Sequence, residues 1–259
     1  MRRRFFVDHF DSQSATLGGD TAEHLGRVLR AEAGQLYELS DGHSVWLARV
    51  ERVALSKRVE SRVDFALIEP VAALEPSVHI DLLISLVKFD RFEWCLEKAT
   101  ELDAREIVPL AAARTDKPLI AAAEKRHSRW EKILTDSAQQ SRHLRAPSIA
   151  GVTLPEKAFA RCAAATKILL SERREAPSIR AVLSVEGPPS GGGCRRTAAL
   201  AIGPEGGWTT EEIAAACVAG FAEASLGGNI LRTETAVLAS MAVVRFVLGE
   251  HADRRLPEA

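Results

Sequence analysis

The spacing of apolar and polar positions divides the chain into two regions. Up to about residue 70 the period is two. Residues 35–40 alternate into Asp41-Gly42, and residues 44–50 alternate out of it, which predicts a β-hairpin around the D-G pair. Residues 57–63 continue the alternation with charged outward positions. Residues 20–30 break it, because Leu25, Val28 and Leu29 fall on one helical face and Asp20 and Glu23 have capping-box spacing. A small β-barrel with one helix is expected. Residues 69–76, with Pro70 and Pro76 near the ends, read as a linker.

Beyond the linker the pattern changes. Residues 78–86, 106–110, 167–170, 198–202 and 222–226 are short apolar runs that predict buried strands, and 90–102 and 127–140 carry helical periodicity. Strands alternating with helices imply a parallel sheet covered on both faces. Pro188-Pro189-Ser190-Gly191-Gly192-Gly193 reads as a flexible loop, and no internal repeat is present.

Composition adds limits. With 46% hydrophobic and 5% aromatic residues and a net charge of −1, the chain is an ordinary globular protein whose overall charge does not call for a polyanion. Local charge does, to a degree. Lys125, Arg126, Arg129, Lys132, Arg142 and Arg145 outnumber Glu131 and Asp136, and Arg2, Arg3 and Arg4 open the chain. On charge alone a solvated helix face plus a frayed terminus is the favoured reading of such a run. The opening has no apolar stretch of signal-peptide length, and no apolar run approaches the roughly 20 residues of a bilayer span, so a cytoplasmic protein with no membrane partner is expected. Cys95, Cys162, Cys194 and Cys217 are scattered with no C-x-x-C pair, which suits reduced thiols and no metal.

The stretch from 200 to 241 carries the chemistry. A strand ending at Ile202 enters Gly203-Pro204-Glu205-Gly206-Gly207-Trp208, and a helix begins where Thr209 and Glu212 have capping-box spacing. A second strand runs into Gly227-Gly228-Asn229 and Ile230-Leu231-Arg232, and a helix opens at Thr233-Glu234-Thr235-Ala236. Glycines between strand and helix let backbone approach a ligand, and two such loops at the ends of parallel strands predict one crevice. Tight βα turns without a ligand are the plainer alternative. Neither loop is a dinucleotide fingerprint or a P-loop.

These motifs resemble the signature of the RsmE family, SPOUT-class methyltransferases that make N3-methyluridine in small-subunit ribosomal RNA. Lys98-Ala99-Thr100-Glu101-Leu102, Gln140-Ser141 with Pro147, Arg4-Phe5-Phe6-Val7 and residues 24–34 extend the resemblance over nearly the whole chain. Asp103, Gln139 and His143 depart from the pattern. The resemblance implies an α/β fold with a trefoil-knotted methyltransferase domain over 77–259, preceded by a PUA-like RNA-binding β-barrel over 1–72. It implies S-adenosyl-L-methionine held by Leu170, Gly203, Glu205, Gly206, Gly207, Leu226, Gly227, Ile230, Leu231 and Arg232, and an active homodimer. The substrate it implies is 16S rRNA or the small ribosomal subunit.

Because the N3 proton of uridine must leave, Arg232 is the candidate for stabilising charge on the base, with Glu234 and Glu205 as proton acceptors. Arg2, Arg3, Arg4, Arg27, Arg30, Lys88, Arg142 and Arg145 are the RNA-contacting candidates. Of two rival classes, a non-catalytic RNA-binding protein would explain the barrel and the basic patches but not the two glycine loops, and a Rossmann-type nucleotide enzyme would explain the α/β domain but its fingerprint is absent. A methyltransferase acting on another nucleotide is the third alternative.

Overall fold

The computed structural model describes residues 3–56, 59–73, 75–184 and 196–249. The glycine-rich segment 188–193, Cys194, Lys57 and Arg2 lie outside the described residues. Two compact units are present, Met1–Glu75 with Ala138–Ala146, and Pro76–Ser137 with Pro147–Ala259.

The first unit is built on a mixed five-stranded sheet. Its strands are β1 (Arg4–Phe6), β2 (Ser14–Gly18), β3 (Leu36–Ser40), β4 (Val45–Ala54) and β5 (Arg62–Val71), in the order β1-β3-β4-β5-β2. The β3–β4 hairpin forms where Asp41-Gly42 predicts it. Gly42 adopts φ 84°, and the Asp41 carboxylate accepts the N–H groups of His43 (2.9 Å) and Ser44 (2.7 Å). Burial works against that carboxylate, but the donated hydrogen bonds prevail and hold it below the usual carboxylate range.

Three expectations need correction here. The predicted helix over 20–30 is α1 (Gly19–Glu23) followed by a π-helical turn over His24–Val28. The wider turn keeps Leu25 in the core but rotates Val28 out to 65% exposure, so the 3.6-residue stripe fails there. Asp20 is no cap either: the N-cap is Gly18, and Glu23 instead accepts from Ser61 Oγ at 3.1 Å. The linker begins later than Pro70, which pairs with Trp46 inside β5. Proline is tolerated because β2 pairs β5 only as far as Ala66, leaving that edge open.

Arg4 also departs from expectation. It is 6% exposed, donates to Glu38 Oε2 at 2.9 and 3.2 Å, and donates to the Arg142 carbonyl at 2.6 Å. Its fork is occupied inside the unit, which removes it from the RNA-facing candidates.

In the second unit six strands are all parallel: β6 (Val78–Ser85), β7 (Ala104–Leu110), β8 (Ser148–Ile149), β9 (Thr166–Leu170), β10 (Arg196–Ile202) and β11 (Ala222–Ala224), ordered β11-β9-β10-β6-β7-β8. Alternate residues enter separate cores. Ile80, Leu82, Ile84, Leu200 and Ile202 face α2 (Phe89–Glu101), α4 (His127–Gln140), α6 (Ile179–Ser184) and α8 (Thr233–Leu248). Leu83, Leu169, Ala199 and Ala201 face α5 (Pro155–Arg161) and α7 (Thr210–Val218). The short helix α3 (Lys117–Ala123) follows β7. Period-2 alternation with both faces covered is the parallel α/β arrangement read from the sequence.

Arg4→Ala is expected to cost about 3–5 kcal/mol in urea unfolding, because it strands the buried Glu38 carboxylate. Arg3→Ala, at an exposed position, should change stability by under about 0.5 kcal/mol. Equal effects would mean that Arg4 is not a structural residue.

Candidate cofactor site

The strands β9, β10 and β11 end together, and their following loops enclose a cavity of about 570 Å³, within the range of small-molecule sites. From β9 come Leu170, Ser171, Glu172 and Arg173; from β10, Ile202 to Glu205, Gly207 and Trp208; from β11, Ser225 to Thr233. Arg91 on α2 and Arg114, in the segment after β7, complete the wall. Of the ten residues expected to hold a cofactor, nine line the cavity. Gly206 does not; a Cβ there would meet the Arg114 side chain at 3.3 Å.

The first glycine loop is shaped by packing. Trp208, buried against Phe159, donates its indole N–H to the Leu170 carbonyl at 3.0 Å, and Gly203 rests on its ring, where a Cβ would come within 3.0 Å. Gly207 has φ 70°, and a Cβ on it would be 3.1 Å from Glu172 Oε1. The Thr209–Glu212 capping box forms as its spacing predicts, with Thr209 Oγ1 accepting from the Glu212 N–H at 3.2 Å and Glu212 Oε2 accepting from the Thr209 N–H at 2.8 Å.

The second loop is more open. Gly227 has φ 131°, and a Cβ at Gly227 or Gly228 would project into free space, where backbone can approach a bound molecule. Ser225 is tied to the segment after β9, donating its N–H to the Pro177 carbonyl (2.7 Å) and accepting the Ile179 N–H (2.8 Å). Ile230 is 79% exposed, an apolar side chain at the wall of a cavity.

Charge at the site is mostly compensated. Arg91 is ion-paired with Glu205, Arg114 donates to the Gly206 carbonyl (2.7 Å), and Arg173 lies 3.7 Å from Glu223. Arg232, the N-cap of α8, has no ion-pair or hydrogen-bond partner of its side chain among the described residues. Glu234 is absent from the cavity wall. Its Oε2 is buried without a hydrogen bond, and the carboxylate acts on Cys95 of α2, whose thiol is pushed up to about 12 by burial and then by Glu234. On the helix, residue 234 is turned about 100° from residue 233, which lines the cavity.

Arg91, Arg114, Glu172, Arg173 and Trp208 were missed as site residues. Trp208 was legible, since it sits inside the glycine motif; Arg91 and Arg114 join it from over ninety positions away.

Of the RNA-contacting candidates, Arg3, Arg27, Arg30 and Lys88 are exposed. Arg27 lies 3.6 Å from Glu23, Arg142 is 3.9 Å from Glu38 and Arg145 is 3.4 Å from Glu75. Among the described residues no group of His, Cys, Asp and Glu is placed to hold a metal, and no helix is long and apolar enough to cross a membrane.

Residues 74–245 match the family model for the RNA methyltransferase domain. The chain is 31% identical over 240 residues to ribosomal RNA small subunit methyltransferase E of Synechocystis sp., covering 91% of this chain and 74% of that protein. The corresponding Bacillus subtilis protein is 28% identical over 258 residues, covering 94% and 96%. Among solved structures, the chain is similar to a ribosomal RNA small subunit methyltransferase E from Neisseria gonorrhoeae bound to S-adenosyl methionine, with a TM-score of 0.81, 28% identity and coverage of 97% and 100%.

Gly207→Ala should cost about 1–2 kcal/mol, the penalty of a left-handed L-residue, read as a lower urea midpoint. Gly228→Ala, without a positive φ and facing open space, should leave the midpoint unchanged. A reversed ranking would contradict the loop geometry.

Proposed function

The chain belongs to the RNA methyltransferase family, with the ribosomal RNA small subunit methyltransferases E, and on that premise we propose that it transfers the methyl group of S-adenosylmethionine to N3 of a uridine in 16S rRNA. One observation carries the reading. Two glycine loops converge on a single cavity, with Arg232 as its cation that has no partner among the described residues. The residues suit the cofactor. Leu170, Leu226 and Ile230 offer apolar surface for an adenine ring, and Gly227 and Gly228 leave room for main-chain contact. When bound, S-adenosylmethionine supplies an electrophilic methyl group.

The chain's own residues have three tasks. They hold the uracil N3 in line with the methyl, take up the N3 proton, and stabilise the negative charge that develops on the ring. Arg232 is assigned the last: its planar guanidinium stays charged and can meet a uracil carbonyl oxygen. Glu205 is assigned the proton, since it lines the cavity and Arg91 fixes its position. Glu234 is left out, because it does not line the cavity.

The same reading includes the trefoil knot, the PUA-like character of the first unit and a cytoplasmic homodimer. A threaded chain is supported by α8, which leaves the edge strand β11 yet packs on β10, β6 and α2 at the sheet's centre, after Ser225 has passed beside Pro177 and Ile179. Phe246 and Val247 on the exposed face of α8 offer apolar area for a second copy. Free thiols at Cys95, Cys162 and Cys217 suit a reducing compartment. In the first unit, Arg3, Arg27 and Arg30 would neutralise RNA phosphates.

Calorimetry should give micromolar binding of S-adenosylmethionine, and mass spectrometry of 16S rRNA treated with the protein should find N3-methyluridine. A product methylated elsewhere would keep the cofactor and replace the target. Arg232→Ala should slow single-turnover transfer about a hundredfold with cofactor affinity little changed, since charge on the ring appears only in the transition state. Transfer at the wild-type rate under saturating RNA would remove Arg232 from the reaction. Arg27→Glu with Arg30→Glu should weaken RNA binding and flatten its salt dependence without altering the cofactor Kd. Unchanged RNA affinity would move the RNA surface elsewhere.

A further inference from the structure

Gly206 lies within the first glycine loop, yet it is absent from the cavity wall that its neighbours Glu205 and Gly207 form. Its open side is filled by Arg114. A Cβ at 206 would stand 3.3 Å from Arg114 Cβ, tighter than ordinary van der Waals contact, and 3.4 Å from Cδ. From the same stem, Arg114 Nη1 donates to the Gly206 carbonyl at 2.7 Å and to the Trp208 carbonyl at 3.3 Å.

A second tie joins the same two segments. Glu212 is 2% exposed; one carboxylate oxygen accepts the Ala113 N–H at 2.8 Å and the other accepts the Thr209 N–H at 2.8 Å. The Gly207 N–H is taken by the Pro204 carbonyl at 2.8 Å. The peptide groups between Gly206 and Gly207 and between Trp208 and Thr209 are therefore satisfied at both ends by the chain itself. These two peptide groups need no ligand to satisfy them.

We propose that Arg114 is a positioning residue that fixes the loop's bound-state geometry in advance, and that glycine is required at 206 by the Arg114 stem and not by the ligand. This rests on the reading that the cavity takes S-adenosylmethionine. The stem and the residue without a Cβ are complementary: the stem occupies the space, and its guanidinium draws two carbonyls outward. A loop held this way loses little freedom on binding, which is where the affinity gain of preorganisation lies. Glu212 acts in the same direction from the helix side.

The test is a double-mutant cycle with two readouts. Calorimetric Kd for S-adenosylmethionine is measured for the wild type, Gly206→Ala, Arg114→Gly, which removes the Cβ as well as the stem, and the double variant. Gly206→Ala should weaken binding about tenfold in the wild-type background, because the added methyl presses on the stem. In the Arg114→Gly background the same methyl should change Kd less than about twofold, since both the Cβ and the stem that obstruct it are gone. Equal losses in both backgrounds would overturn the proposal and place the obstacle on the ligand side. The second readout needs no ligand: Arg114→Met keeps much of the stem but removes the donors, so amide hydrogen exchange at Gly207 and Thr209 should accelerate in the cofactor-free protein. Unchanged exchange there would overturn the clamp. A wild type that binds no S-adenosylmethionine would overturn the proposed function, and the exchange experiment would still decide whether Arg114 holds the loop.

Discussion

The constraint on which the second unit depends is burial on both faces of its central strands. From Ala198 to Ile202 every residue of β10 is buried, alternately against the α2 and α8 side and against the α5 and α7 side. Such a strand has no face on which to carry reactive groups, and its interior tolerates only apolar side chains. Chemistry is thereby pushed to the strand ends, where the main chain turns out of the sheet and its polar groups must find new partners. β9, β10 and β11 are adjacent and parallel, so their carboxyl ends coincide, and one cavity follows from the register of three strands.

Electrostatics then decides what the cavity can do. It holds arginines from four separate segments, a concentration of charge that repels itself unless compensated. Arg91 and Arg173 face carboxylates, and Arg114 is committed to backbone carbonyls. Each is thus tied to the walls. Arg232 differs through its position: as the N-cap of α8 it sits where the helix dipole is positive, which offers a cation no stabilisation. A guanidinium held there, with no partner among the described residues, gains most when negative charge arrives. In the proposed reaction the N3-deprotonated uracil would be such a charge, present only while the methyl is transferred.

Local signals in the sequence proved the most legible. The Asp41-Gly42 turn, the Thr209–Glu212 capping box and the strand–glycine–helix order at 202–210 and 224–233 are each decided within a few residues, so spacing alone reads them. What failed was decided by tertiary context. The π-turn at 24–28 inserts a residue that no periodicity announces, and Pro70 stays in β5 only because β2 stops short of it. Arg4 reads as surface charge until Glu38, 34 positions away, is seen to bury it. Arg114 belongs to a segment 92 residues from Gly206, and nothing in either neighbourhood points to the other. The glycine at 206 was legible as a requirement; the reason for it was not.

Glu234 shows why proximity in sequence misleads at a helix start. It is two residues from Arg232 and would appear well placed as its acid–base partner. Yet Glu234 is absent from the cavity wall that Arg232 and Thr233 help to form, and its carboxylate acts electrostatically on the buried Cys95 of α2. There the carboxylate reinforces what burial already does and pushes the thiol pKa up. Its Oε2 is buried and lacks a hydrogen-bond partner among the described residues, and the residue does not line the cavity in which the base would lie. Glu205 has the opposite setting: it is open to the cavity, oriented by Arg91, and carried on the loop that Arg114 and Glu212 hold in place. A proton acceptor must lie within reach of its proton before its basicity matters. On that criterion the carboxylate three residues after the first strand is favoured over the one that follows the arginine.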